Sequence, residues 1–191
     1  MGRPRSFDDE EVLGRALDVF WSRGYAATSI ADLEEAMGIK AGSIYKAFTD
    51  KRTLFMRAVE LYLRHGQQMT LDAVENLAPR EALKSWLYTV AEMATEKPPR
   101  GCFAVNCAVE LAPHDEAVRR SLRAHDRQMT LLFAELVRRG QRAGELRKGD
   151  AALQARHLRL FISGLQVEGK KGLSRAEAKR LVDQFLETLA A

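Results

Sequence analysis

The chain has 191 residues, 46% of them hydrophobic and 29% charged, with a formal net charge of +4 at pH 7. That length holds one large or two small domains with an adequate core, and the composition is ordinary for a soluble globular protein. No apolar run reaches membrane-spanning length, the start MGRPRSF lacks the apolar stretch of a signal peptide, and two cysteines make no disulfide framework. A cytoplasmic protein without a membrane partner is expected.

The first helical pattern opens on Asp8, Asp9, Glu10 and Glu11, which favour the positive end of a helix dipole. Leu13, Ala16, Leu17, Phe20 and Trp21 then form one apolar stripe that stops at Gly24. Residues 1–65 carry ten Lys/Arg against ten Asp/Glu, so the excess positive charge does not mark this part of the chain as a nucleic-acid binder. Segregation matters more: Arg3 and Arg5 precede the acidic run, while Lys40, Lys46, Lys51 and Arg52 surround the segment that follows.

From Thr28 to Arg52 two short helices are predicted, joined by a three-to-four-residue turn. Ile30, Leu33 and Met37 make the buried stripe of the first. Thr28 or Ser29 caps it, Ser29 with Asp32 fits a capping box, and Gly38 suits a left-handed helix end. The second starts near Ala41 or Gly42 and buries Ile44 and Phe48. Its outer face offers Ser43, Tyr45 and Lys46, groups that bond phosphates and base edges. This is the build of a helix-turn-helix DNA reader. The alternative is a helical-bundle interaction protein with a structural helix-turn-helix. Against it, a second helix of about seven residues buries too little apolar surface to be worth ordering alone.

Asp50 is placed to cap a fourth helix, a long one carrying Leu54, Phe55, Ala58, Val59, Leu61 and Tyr62, ending near Gln68. Pro79 starts another with Leu83, Trp86, Leu87, Val90 and Met93 on one face. Cys102 to Ala112 is almost wholly apolar and is expected to be buried all round. Val118, Leu122, His125, Met129, Leu132, Phe133 and Leu136 follow on one long amphipathic helix. Asp150 caps a helix to about Gly169, and Ser174 with Glu177 forms a second capping box before the last helix. The fold class is therefore all-α, about nine helices: a helix-turn-helix domain over 1–50, a connecting helix over 51–68, and a C-terminal helical domain over 69–191.

The last two helices are apolar over more than one face, so they need a partner beyond their own core. A two-fold homodimer is expected there, with Leu158, Phe161, Leu165, Leu181 and Phe185 in its seam. An effector pocket between the C-terminal helices would be lined by Trp86, Met93, Phe103, Met129 and Phe133, with Asn106, His125 and Gln166 as polar anchors. Catalysis is not expected. The chain has no glycine-rich phosphate loop, no His-Glu-x-x-His and no nucleophile elbow. His65, His114, His125 and His157 are scattered, so no metal site and no cofactor are expected.

Three stretches, ALDVFWSRGYAATSIADL, GIKAGSIYKAF and FTDKRTLF, resemble the TetR family of bacterial transcriptional repressors over the first third of the chain. The resemblance implies a dimeric DNA-binding regulator that leaves a palindromic operator when a small-molecule or thiol-reactive effector binds. It puts Tyr45 and Lys46 at the groove, Gly42 and Ser43 at close backbone approach, and Thr28, Lys40 and Lys51 on phosphates. Lys46 departs from the aromatic or His residue common at its position. The lead-in Arg100-Gly101-Cys102 resembles a branch of the family in which some members sense electrophiles or oxidants through cysteine. Physically, a helix N-terminus beside Arg100 favours a thiolate at Cys102. Cys107, five residues on and about 140° round the helix, cannot easily bridge to it.

Overall fold

The structure, a computed structural model, describes residues 9–75 and 77–191; Arg3, Arg5 and Asp8 lie outside them. Among the described residues there are nine α-helices: α1 (Asp9–Arg23), α2 (Ile30–Met37), α3 (Ala41–Phe48), α4 (Lys51–Glu75), α5 (Pro79–Ala94), α6 (Phe103–Glu110), α7 (Glu116–Arg142), α8 (Ala151–Lys170) and α9 (Arg175–Leu189). None is long and apolar enough to cross a membrane.

The local signals set the helix ends. Ser29 accepts from the Asp32 N–H while Asp32 accepts from the Ser29 N–H, a complete capping box, and Gly38 closes α2 at φ 68°. Asp50 accepts from the Thr53 N–H at the start of α4, and Asp150 and Ser174 accept from the first-turn N–H groups of α8 and α9. The fourth helix runs past Gln68 to Glu75. Gly66 is tolerated inside it, and no stronger breaker occurs before Pro79.

Two apolar cores result. The first joins α1 to α3 and the front of α4, with Phe20, Leu33, Met37, Ile44, Leu54 and Phe55 all at or below 2% exposure. It also takes in Phe103 and Cys107 from α6 and Val118 and Leu122 from α7. The second is built on α5, α7, α8 and α9, and reaches back to Val74 at the end of α4. Two long helices, α4 and α7, thus belong to both cores.

The sixth helix is not buried all round. Phe103 and Cys107 turn inward, but Val109 is 76% exposed. It lies along the seam between the cores, so one face is covered and another meets water.

Where α5 and α8 end, the two helices touch backbone to backbone. A Cβ on Gly169 would stand 2.0 Å from the carbonyl oxygen of Ala94. Only a glycine permits that crossing.

Candidate nucleic-acid interface and internal cavity

The geometry of α3 follows from two neighbours. Lys40, its N-cap residue, makes no side-chain cap bond. Instead Glu34 on α2 reaches across the turn and accepts from the Ala41 N–H at 2.7 Å. Ile44 and Phe48 anchor the inner face, leaving Gly42, Ser43, Tyr45 and Lys46 exposed. Lys40 is exposed at the head of the helix. Lys51 lies at its exit, with Nζ 4.4 Å from the centre of the Tyr25 ring. Lys40, Gly42, Ser43, Tyr45 and Lys46 are thus exposed together on and just before α3, with Lys51 part-buried at its exit.

Thr28 departs from that set. It is 2% exposed, and its hydroxyl donates to the Gly24 carbonyl at 2.6 Å. The side chain therefore holds the α1–α2 turn closed from inside, and the capping role falls to Ser29.

That turn is tied to the C-terminal half by contacts with no local sequence signature. The Glu110 carboxylate accepts from the Ala26 N–H at 2.9 Å and the Tyr25 N–H at 3.2 Å. Arg52 makes a two-pronged ion pair with Asp115 at 3.0 and 2.9 Å. Asp115 also caps α7, and those backbone N–H bonds, with Arg52, hold its carboxyl below the usual range. Arg100 pairs with Asp18 at 2.8 Å and lies over the Trp21 ring, while Trp21 Nε1 donates to the Gly101 carbonyl at 2.9 Å.

Between α4, α5, α6, α7 and α8 lies a cavity of about 360 Å³, within the roughly 300–1,000 Å³ usual for small-molecule sites. Trp86, Met93, Cys102, His125, Met129, Phe133 and Gln166, all expected there, do line it. Phe103 and Asn106 do not. Phe103 packs edge-on against Phe55 and Tyr62 in the first core. Asn106 is spent on its surroundings, donating to the Arg100 carbonyl and accepting from Lys170. Tyr62, Thr70, Arg159 and Ser163 line the cavity without having been expected to. Tyr62 reads from the sequence as part of an apolar stripe, and of α8 only Gln166 is expected at the cavity.

The two thiols differ. Cys102 is half-buried at the cavity wall and accepts a hydrogen bond from the Tyr62 hydroxyl at 3.3 Å. The Arg100 guanidinium expected beside it is engaged by Asp18 and Trp21. Cys107 is buried, and burial pushes its thiol up to about 12, so it stays protonated as a small core group.

On α8 and α9 the expected seam divides. Leu158 and Leu165, at 0% and 3% exposure, belong to the chain's own core. Phe161 and Phe185 are half-buried and stack at 4.2 Å, nearly parallel. Leu160 and Leu181 are 64% and 42% exposed.

Residues 12–58 match the family described as "Bacterial regulatory proteins, tetR family", and residues 80–185 match "Tetracyclin repressor-like, C-terminal domain". The chain belongs to the TetR family. The HTH-type transcriptional repressor ComR of Escherichia coli (strain K12) is 31% identical over 180 residues, covering 91% of this chain and 84% of that protein. The uncharacterised HTH-type regulator YezE of Bacillus subtilis (strain 168) is 33% identical and covers 81% of each chain. Among solved structures, a cysteine mutant of the TetR family regulator CifR, complexed with a 26-bp operator DNA, has a TM-score of 0.86. It is 35% identical and covers 98% of this chain and 100% of that one. This TetR-family chain is a DNA-binding transcriptional regulator of the helix-turn-helix type.

Proposed function

We propose that this regulator is a cytoplasmic homodimer that represses transcription from a palindromic operator and lets go when an effector fills its cavity or reacts with Cys102. Binding rather than catalysis is its role. The observation that carries the reading is the double duty of α6. Cys102, Ala104, Val105 and Ala108 form part of the cavity wall, while Glu110, at the other end of the same helix, holds two backbone N–H groups of the α1–α2 turn. An occupant that moves α6 therefore moves the base of the reading unit.

A dimer turns that motion into release. Two readers must fit groove faces that recur every ~34–36 Å along one side of B-DNA. A change of a few ångströms in their separation costs contacts at both half-sites. The effector need only prefer the wider or narrower arrangement over the one that fits the groove.

In this reading Tyr45 and Lys46 meet the groove, Gly42 and Ser43 sit at close backbone approach, and Lys40 and Lys51 meet phosphates. The assignment is tested by measuring binding to the DNA upstream of the protein's own gene over a range of salt concentrations. Lys51→Ala is expected to weaken binding to specific and unrelated DNA alike and to flatten the log–log salt slope by about one unit. A lost sequence preference with an unchanged slope would move Lys51 from phosphate to base.

The link through α6 has its own test. Glu110→Ala leaves the Tyr25 and Ala26 N–H groups without their charged acceptor, and hydrogen bonds to charged groups contribute about 1.5–3 kcal/mol each. Water repays part of that at this partly exposed site, so operator affinity is expected to fall about tenfold while occupancy of the cavity is unaffected. Equal operator affinity in the two proteins, measured by fluorescence anisotropy, would remove Glu110 from the coupling.

A further inference from the structure

Two polar side chains on the cavity wall are more than nine-tenths buried and have no partner among the described residues. Trp86 is 7% exposed, and its Nε1–H is closed off from water and makes no hydrogen bond. Gln166 is 6% exposed, and its side-chain amide bonds to no described residue, although unlike the indole nitrogen it is not sealed from water. Buried donors without acceptors are uncommon in folded proteins, and each costs about 1–3 kcal/mol. The indole nitrogen is sealed as the side chains stand, so an acceptor reaches it only when an occupant shifts the cavity wall around the ring.

The charges around the cavity narrow the choice. Asp126 is the one carboxylate among the described residues lining it, and Arg159 pairs with it. Arg159 is spent further on the Asp126 carbonyl. Arg156 is exposed at the rim and faces water. Burial, then the nearby Arg159, lowers the pKa of His125 from its ordinary 6.5, so at neutral pH the ring is uncharged. Tyr62, Thr70, Cys102, Ser163 and Gln166 add uncharged polar groups, and the rest of the wall, including Val90, Met93, Leu122, Met129, Phe133 and Ile162, is apolar. A cation would leave its hydration shell and find no unpaired opposite charge inside, and an anion would meet only the solvated Arg156.

We propose that the cavity takes an uncharged, mainly apolar molecule carrying a carbonyl-type oxygen, which accepts from the Trp86 indole N–H with the Gln166 amide as second donor. This rests on reading the cavity as the effector site, and it adds the chemical class of the effector. The molecule binds without forming a bond to the protein. The oxygen is the polar anchor, and the hydrocarbon part fills the space between Met93 and Phe133.

Three matched probes test this on the full chain by calorimetry, without DNA: butyrophenone, butylbenzene and phenylbutyrate. Butyrophenone is expected to bind about tenfold more tightly than butylbenzene, which lacks the acceptor, and more tightly than the anionic phenylbutyrate. Trp86→Phe keeps a ring and removes the N–H. It should erase the advantage of butyrophenone while leaving butylbenzene where it was, which also reports that the cavity is intact. Gln166→Leu should reduce the same advantage in part. Equal affinity of ketone and hydrocarbon, preference for the carboxylate, no binding of any probe, or an undiminished ketone preference in Trp86→Phe would each overturn the proposal. Should the ketone bind in the expected pattern yet leave the protein on its DNA, the ligand class stands and the effector reading falls.

Discussion

Leu181→Arg is expected to convert the protein into a folded monomer that no longer holds its operator. Leu181 is 42% exposed, so an arginine there meets water in the single subunit and disturbs little. Across a two-fold seam the same change occurs twice and sets two like charges against an apolar strip that includes Phe161 and Phe185. Burying an unpaired charge costs several kcal/mol, so the dimer dissociation constant should rise by at least about a hundredfold. Operator binding should fall with it, because one reader alone grips half the site. Sedimentation equilibrium, with circular dichroism to confirm the helices, gives the answer. A variant that remains dimeric at micromolar concentration would place the seam elsewhere, and an unmutated protein that sediments as a monomer would end the dimer reading.

Gly169→Ala should be the most damaging single methyl in the chain. Its Cβ would stand 2.0 Å from the Ala94 carbonyl oxygen, and what lies in the way is helix backbone, which has no rotamer to escape into. The α5–α8 crossing must open, and overpacking of this kind costs roughly 1–3 kcal/mol or more. Taking the upper end, about 3 kcal/mol lowers Tm by about 6–12 °C in a domain of this size. Gly14→Ala is the control. It lies inside α1 with nothing near its would-be Cβ, and replacing a helical glycine there should stabilise by about 0.5–1 kcal/mol. Thermal melts of the two variants should shift in opposite directions. A Gly169→Ala protein melting within a degree or two of the parent would show that the helices part without cost.

How far such details can be read beforehand depends on the range of the interaction involved. The reading unit was legible because its signals are local. Ser29 and Asp32 are three residues apart, Gly38 follows its helix directly, and Ile44 and Phe48 share a face by spacing alone. Helix-start signals at Pro79, Asp150 and Ser174 worked for the same reason. The errors lie where two partners compete for one residue. Thr28 could bond outward or inward, and the free carbonyl of Gly24 took its hydroxyl. Phe103 could face the cavity or the first core, and the aromatic group of Trp21, Phe55 and Tyr62 took it. Leu158 and Leu165 lie on a helix apolar over several faces, and such a pattern reveals an extra partner without saying which face meets it. Glu110 and Asp115 act on backbone and side chains 84 and 63 positions away. No periodicity announces contacts of that range.

The placement of Phe103 has a consequence for how freely the parts of this protein can be exchanged. A helix-turn-helix at the start of a chain invites transplantation: cut after α3, attach the reader to another regulator's body, and expect a new operator preference. Here the cut would pass through a shared interior. The first core is completed by Phe103 and Cys107 of α6 and by Val118 and Leu122 of α7, and its outer turn is latched by Glu110. A grafted reader arrives with a socket shaped for those side chains. The host must supply an aromatic plug and a carboxylate at matching places, or the graft will carry an open seam at its base. The unit that can be moved intact is therefore discontinuous, α1 to the front of α4 together with α6 and the first turns of α7. In such a protein, operator preference and effector response are inherited together.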